Sequence, residues 1–534
     1  MKRFIDRVTK ILPSVIILLL ALIVMRFCDR APKQIAVNDH KWDKLLLILD
    51  QIEQHYVDSI DYKEIVEKTL PSLMQNLDPH SVYLPPEELE VAEESLTGNF
   101  SGIGIQFNVP NDTVVVISVI PGGPSERAGL LSGDRIITVD GENIAGVKMP
   151  QDSIIKRLKG PRGTTVKVGI KRDDLDELVP FTIKRDNIPV KSVDVAYMVN
   201  DTLGYIKLSK FARTSYSEVA AALEKLKGEG VKALVFDLRD NTGGYLDQAL
   251  LLSNEFLAKG DLIVYMEGLH RERQDFHADG KGSMLDVELY VLINENSASS
   301  SEIFAGAIQD NDRGTIVGRR SFGKGLVQEP IYFTDKSGIR LTVARFYTPT
   351  GRCIQKPYSK DYQYDIIERY QHGEMTVADS IKRNDSLKFV TPQGKVVYGG
   401  GGIIPDVFVP IDTVGITDFL VAVNRKSLQV KYSIRLADKY RSELRNIRSF
   451  DQLETLVEGI DIEGGFLAFA KSNGLIPKEG EWERSKVFII TQLKGLLGRY
   501  SLLDDDAFYP YINRVDNVIN KVIEIETTKT TNKL

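Results

Sequence analysis

Residues 294–328 read NENSASSSEIFAGAIQDNDRGTIVGRRSFGKGLVQ. An apolar run from Val287 to Ile293 enters this stretch and reads as a strand, and Ile303, Phe304, Ala307 and Ile308 then share one face at helical spacing. The serines of the cluster therefore sit at a strand-to-helix junction. There the first-turn N–H groups have no intrahelical acceptor, and the positive end of the helix dipole favours an oxyanion. The same letters have a plainer use, because Ser299 with Glu302 three residues on is also a capping box. Further along, Lys324 stands between Gly323 and Gly325, with Leu326 and Val327 next and no acid before Glu329. Lysine accepts a proton only when neutral, and burial without an anionic partner lowers its pKa from about 10.4 by several units. Such an amine can take the proton of a serine hydroxyl. Gln328 can orient that amine through its amide oxygen without adding charge. On a straight strand positions four apart are roughly 13 Å from each other, so contact between Lys324 and Gln328 requires inward-leaning side chains or a bend at Gly325. The plain alternative for SFGKG is a glycine turn carrying a solvated lysine.

SASSSEI (297–303) followed by FGKGLVQ (322–328), with Lys324 placed 25 residues after Ser299, resembles the carboxy-terminal processing proteases, also called tail-specific proteases. The resemblance extends over roughly residues 40–410. It implies a serine endopeptidase in which Ser299 is the nucleophile, Lys324 the general base and Gln328 the partner of that base. The family usually has alanine after the nucleophile; Ser300 here leaves the backbone N–H in place. Asp240-Asn241-Thr242-Gly243-Gly244, between a strand ending at Leu238 and the next helix, resembles the family's glycine motif, with Thr242 where proline is usual. Two glycines at such a turn can bring backbone N–H groups close to a ligand. The expected oxyanion hole is the N–H of Ser300 with that of Gly243 or Gly244, against the alternative of a glycine turn without catalytic duty.

Gly102-Ile103-Gly104-Ile105, continued by Gln106 and Phe107, resembles the carboxylate-binding loop and following strand of a PDZ domain, in which backbone N–H groups receive a peptide's terminal carboxylate. Strand patterns at Val114 to Ile120 and from Gly133 to Ile137 follow, with a short helix at Ser125 to Leu130 and a second at Gln151 to Leu158 facing the Ile103 strand. Residues 97–186 are therefore expected to be an inserted PDZ domain.

Beyond it, strand and helix patterns alternate: Leu203 to Leu208, helix Tyr216 to Leu226, Ala233 to Leu238, helix Tyr245 to Leu257, Leu262 to Met266, Val287 to Ile293. This alternation predicts a mixed α/β sheet. The expected fold is multidomain α/β: a mixed α/β serine/lysine protease core over 187–414, the β-rich, two-helix PDZ domain inside it, an N-terminal helical region over 31–96 and a mainly helical C-terminal extension over 415–534. A polar insertion at 357–395 is long enough to be functional and is expected to shield the active site. Asp78-Pro79-His80-Ser81 ends the second N-terminal helix, and adjacent His80 and Ser81 cannot form a nucleophile–base pair with each other. The C-terminal extension holds no readable motif, which leaves a homo-oligomer contact, an adaptor site or a brace for the core open.

Lys2, Arg3, Arg7 and Lys10 precede an apolar run from Ile11 to Met25, so residues 1–30 read as a signal peptide or a short membrane anchor. No small-residue cleavage site follows, which favours an uncleaved anchor in the inner membrane with the bulk exported to the periplasm; a cleaved, secreted form is the alternative. The chain carries 68 basic and 74 acidic residues, a net charge of −6, and no basic, aromatic-interleaved run of the kind nucleic acid favours. Cys28 and Cys353 suggest no disulfide framework, no metal-ligand spacing is present, and no cofactor is expected. His270 and His277 read as exposed loop histidines. The function expected is capture of substrate proteins by their C-terminal tails and cleavage at Ser299. Two rivals are a non-catalytic PDZ scaffold and a Ser-His-Asp hydrolase, the latter without any GxSxG to support it.

Overall fold

A computed structural model describes residues 43–533 apart from 173, 174, 176 and 359–361. The apolar run from Ile11 to Met25 lies outside the described residues; among those described, no helix is long and apolar enough to cross a membrane. The chain divides into two compact units, 1–70 and 71–534. Both amphipathic patterns of the N-terminal region are helices, α1 (Asp43–His55) and α2 (Tyr62–Gln75).

After Gln75 the chain turns on Asp78, whose carboxylate accepts from the His80 and Ser81 backbone N–H groups at 2.7 and 2.8 Å and from Ser81 Oγ at 2.6 Å. In this region, read as helical with a break at Asp78-Pro79-His80-Ser81, β1 (Val82–Leu84) is a strand, because a long hairpin far along the chain offers it an edge. Helix α3 (Pro86–Thr97) follows.

The PDZ domain comprises β2 (Asn99–Gly102), β3 (Ile105–Asn108), β4 (Val114–Val119), α4 (Pro124–Ala128), β5 (Arg135–Val139), β6 (Glu142–Asn143), α5 (Gln151–Leu158), β7 (Thr165–Lys171), β8 (Val179–Lys184) and β9 (Asp186–Pro189). Its sheet runs β3-β4-β5-β7-β8, with β6 on β5, so β3 is an edge strand. Along β7 the inward residues Val166, Val168 and Ile170 alternate with outward ones and meet Ile154 and Leu158 of α5 in one core.

The catalytic core contains β10 (Val193–Met198), β11 (Leu203–Leu208), α6 (Ser215–Gly228), β12 (Ala233–Asp237), α7 (Leu246–Asn254), β13 (Leu262–Gly268), β14 (Arg271–His277), β15 (Glu288–Ile293), α8 (Ser300–Asp310), β16 (Thr315–Gly318), β17 (Leu326–Tyr332), β18 (Gly338–Tyr347), α9 (Asp365–Gln371), β19 (Lys388–Val390), β20 (Val396–Tyr398) and β21 (Val407–Phe408). The main sheet runs β10-β11-β12-β15-β16-β21 and is parallel from β11 onward. Its central strands read as continuous apolar runs because both faces are covered. Helices α6, α7 and α8 cover one face; Val518, Ile519 and Val522 of the last helix, Asn517–Lys533, cover the other. A second sheet joins β1, β18, β13 and β14, with β17 also on β18. His277 is thus a strand residue paired with Leu262 and not a loop residue; the segment RERQDFH escapes a strand reading because its side chains are almost all exposed and carry no apolar alternation.

The helices between Asp418 and Asn513 form their own core. That core also takes Val115 of β4, whereas Val114 and Val116 point into the PDZ core. Strand β4 is therefore buried on both faces, one inside its own domain and one against the C-terminal helices. Arg135 pairs with Asp438, and Arg441 donates to Gly133 O at 3.2 Å across the same contact.

Candidate functional site

Strands β12 and β15 are parallel neighbours with Asp237 opposite Leu292, so the loops leaving their carboxyl ends lie side by side. These loops carry the DNTGG turn and the serine cluster. The cluster sorts itself by what each hydroxyl does. Ser297 Oγ donates to Leu238 O at 2.8 Å, Ser300 Oγ to Gly244 O at 3.0 Å and Ser301 Oγ to Asn241 O at 2.8 Å, and all three serines are buried. Their hydroxyls join the two loops. Ser299 alone is half-exposed, at the mouth of α8, with φ +55° and ψ −115°. That backbone conformation is strained for a residue with a Cβ, and the hydrogen bonds on either side hold it in place.

Glycine is required opposite it. A Cβ on Gly243 (φ +98°) would stand 2.8 Å from Ser299 Cβ and 2.9 Å from Ser300 N, and one on Gly244 would stand 2.1 Å from Phe211 O. The N–H of Gly243 donates to Asn241 Oδ1 at 2.9 Å. This turns the choice between the two glycines toward Gly244, whose N–H has no acceptor among the described residues.

The sequence placed Glu302 only as a cap, and its side chain does accept the Ser299 N–H at 2.9 Å. It also reaches across to the lysine loop. Gly323 N–H (2.7 Å), Lys324 N–H (2.8 Å) and the hydroxyl of Ser321 all donate to the same fully buried carboxylate. Burial pushes the Glu302 carboxyl up, and the four hydrogen bonds oppose that rise.

Lys324 Nζ donates to Gln328 Oε1 at 2.9 Å, and Gln328 Nε2 donates in turn to His80 O at 2.6 Å. The contact that a straight strand forbids is made because β17 begins only at Leu326 and its pairing with β18 shifts between Val327 and Gln328. Burial is the main cause that lowers the Lys324 pKa, the Arg340 guanidinium lowers it further, and the charges of Glu302 and Asp78 oppose. Ser299, Ser300, Gly243, Gly244, Lys324 and Gln328 line one cleft of about 840 Å³.

Among the described residues no histidine lines this cleft. His80 Nε2 meets Tyr362 OH at 2.6 Å while Ser81 Oγ is bonded to Asp78, so the DPHS run is a brace whose backbone carbonyl fixes Gln328. Desolvation and the charge of Lys324 hold the His80 pKa at about 4, hence neutral at physiological pH. The described residues of the polar insertion, expected as a shield, do not line the cleft. They back the lysine loop: Arg369 donates to Ser321 O (3.1 Å) and Arg320 O (2.7 Å), and Arg320 and Arg369 share Glu374. Nothing local in the sequence marks these partners, since Arg369 and Glu374 reach Arg320 and Ser321 across more than 40 positions of chain.

In the PDZ domain, the Gly102–Ile105 stretch leads into edge strand β3, which leaves one side open for an added peptide strand. Ile103 and Gly104 carbonyls are bound by Ser125 N–H and Ile120 N–H, which fixes the loop.

Comparison with known proteins gives the site its context. Peptidase family S41 matches residues 202–366, the PDZ domain family matches 101–184, and a family of unknown function matches 419–502. The carboxy-terminal-processing protease of Bartonella bacilliformis is 37% identical over 342 residues, 62% of this chain and 77% of that one. The carboxy-terminal processing protease CtpA of Bacillus subtilis is 32% identical over 61% of this chain and 69% of that one. Among solved structures, a photosystem II D1 C-terminal processing protease is 26% identical and covers 76% of this chain and 96% of that one, with a TM-score of 0.38. With a PDZ domain set ahead of an S41 peptidase segment, and relatives matched across more than two thirds of their length, the chain belongs to the carboxy-terminal processing proteases, serine-type peptidases.

Proposed function

We propose that this peptidase cleaves peptide bonds with Ser299 as nucleophile and Lys324 as general base. The neutral amine takes the Ser299 Oγ proton as oxygen attacks the carbonyl carbon. The oxyanion is received by the N–H groups of Ser300 and Gly244. The resulting ammonium returns its proton to the leaving amine, and a water deprotonated by Lys324 then hydrolyses the acyl-enzyme. Gln328 holds the amine through an amide oxygen, which orients it without placing a formal negative charge beside it. One observation carries this reading: among the described residues the amine is bonded to an amide and to no carboxylate, and it lines the same cleft as the single serine of its cluster whose hydroxyl is not given to a backbone carbonyl.

Substrate proteins enter by their C-terminal tails, the tail adding to β3 between that strand and α5 with its carboxylate at the Gly102–Ile105 loop. The basic, then apolar N-terminus supports export to the cell envelope with an inner-membrane anchor. Of the roles open to the C-terminal helices, their packing against β4 and the main sheet favours a brace over an oligomer or adaptor contact.

The test is cleavage of an unfolded reporter with an apolar C-terminal tail by wild type, Ser299→Ala and Lys324→Ala. Cleavage by wild type alone is expected. Cleavage by Lys324→Ala at the wild-type rate would remove the proposed base.

A further inference from the structure

Strands β17 and β18 pair with Thr342 opposite Gln328, Arg340 opposite Pro330 and Gly338 opposite Tyr332. Opposed residues share a face of the sheet, and so do residues two apart on one strand, so Arg340 lies on the face of Gln328, the partner of Lys324, roughly 7 Å further along. Helix α3 covers this face: Leu89 Cδ2 lies 3.2 Å from the point where a Cβ on Gly338 would stand, and Glu93 is hydrogen-bonded to Tyr332. Arg340 therefore lines the Ser299 cleft, half-buried, between the sheet and the apolar residues Leu89, Ala92 and Leu96 of α3. The other charged groups lining the cleft have neighbours to answer them. Glu93 meets Tyr332, Glu329 is paired with Arg271, Asp247 on α7 acts on Arg213, and Lys324 donates to Gln328. Arg340 has no hydrogen bond and no ion pair among the described residues. A guanidinium held without an acceptor in a partly apolar cleft is ready for a carboxylate, which it can grip with two parallel N–H donors.

We propose that Arg340 selects an acidic substrate, receiving the side-chain carboxylate of an aspartate or glutamate within about three residues of the scissile bond. The pairing acts on the proposed base as well. The Arg340 guanidinium disfavours the Lys324 ammonium, and a bound carboxylate cancels that influence, so an acidic substrate raises the Lys324 pKa in the complex while tightening binding. This rests on the serine/lysine reading above and names a substrate class for that site.

The experiment uses the full chain and the unfolded reporter with its apolar C-terminal tail. The cut is mapped by mass spectrometry, and each of the three residues on either side of it is then made aspartate or asparagine in turn. At one position aspartate should be favoured about tenfold in kcat/KM on the alkaline plateau, chiefly through KM. Arg340→Gln should reduce that preference to about threefold or less, and Arg340→Glu should turn it toward lysine. In wild type the rising limb of kcat for the aspartate reporter should lie at higher pH than for the asparagine reporter, and in Arg340→Gln the two limbs should coincide. The wild-type comparison needs no variant. Equal cleavage of aspartate and asparagine at every position overturns the inference, as does a preference that survives Arg340→Gln or coincident limbs in wild type; each leaves the serine/lysine reading standing. A wild type that cleaves no reporter overturns that reading itself.

Discussion

Glu302 holds Lys324 by its backbone: one carboxylate oxygen accepts the Lys324 N–H at 2.8 Å and the Ser299 N–H at 2.9 Å. A buried acid thereby sets the spacing of the proposed nucleophile and base while the lysine ammonium points elsewhere, toward Gln328. The acid that positions the base adds only an opposing influence to its pKa, and burial with Arg340 prevails.

Replacing Glu302 with glutamine tests this arrangement. An amide has one acceptor atom, and its NH2 group would face N–H donors, so at least two of the four hydrogen bonds are lost. Glu302→Gln should cost about 2–4 kcal/mol of stability and lower kcat by about tenfold or more. Urea titration and steady-state kinetics on the same preparation check both.

The pH profile reports on Lys324. In the proposed mechanism the neutral amine is the active form, so kcat/KM should rise with pH through a pKa below the ordinary lysine range. Arg340→Gln removes a cation that disfavours the ammonium, so the Lys324 pKa rises, the rising limb moves to higher pH and the rate at neutral pH falls, recovering in alkali. An unmoved limb would show that Arg340 does not act on the base.

Gln328→Glu changes only the charge of the partner. A carboxylate 2.9 Å from the amine stabilises the ammonium, so the variant should lose activity near pH 7 and regain it at high pH, whereas Gln328→Leu should lose orientation at every pH. Full profiles of kcat/KM for the two variants separate charge from orientation.

Asp504 lies in the C-terminal region close to Ser118 of β4, with its pKa pushed up to about 6, chiefly by burial and next by the charge of Asp505. For an acid raised in the folded state, the stabilising contribution is complete below the unfolded pKa near 3.9 and is lost as pH rises through about 6. Asp504→Asn stays neutral and, being nearly the same size and shape, leaves the backbone at this positive-φ position as it is. It should be more stable than the parent by about 2 kcal/mol at pH 7 and equal to it below about pH 4. Urea midpoints at the two pH values decide this.

The alternation of strands and helices from Leu203 to Ile293, the second PDZ helix at Gln151–Leu158 and the order of serine, lysine and glutamine could all be read from the chain, because periodicity, turn residues and short motifs are local properties. Strands β1 and β14 could not: one is three residues long and exists by pairing with β18, and the other shows no apolar alternation because it is exposed.

What the sequence by itself determined is the inventory: a serine cluster before a helix, a lysine flanked by glycines, a glutamine four residues on, and a peptide-binding module ahead of them. Only the tertiary structure decided which serine keeps its hydroxyl, which glycine keeps its N–H, that Glu302 reaches from the helix to the lysine loop, and that the last helices clamp both the PDZ domain and the sheet. These are matters of hydrogen-bond direction and of burial between segments tens to hundreds of residues apart, and neither quantity exists until the chain has closed on itself.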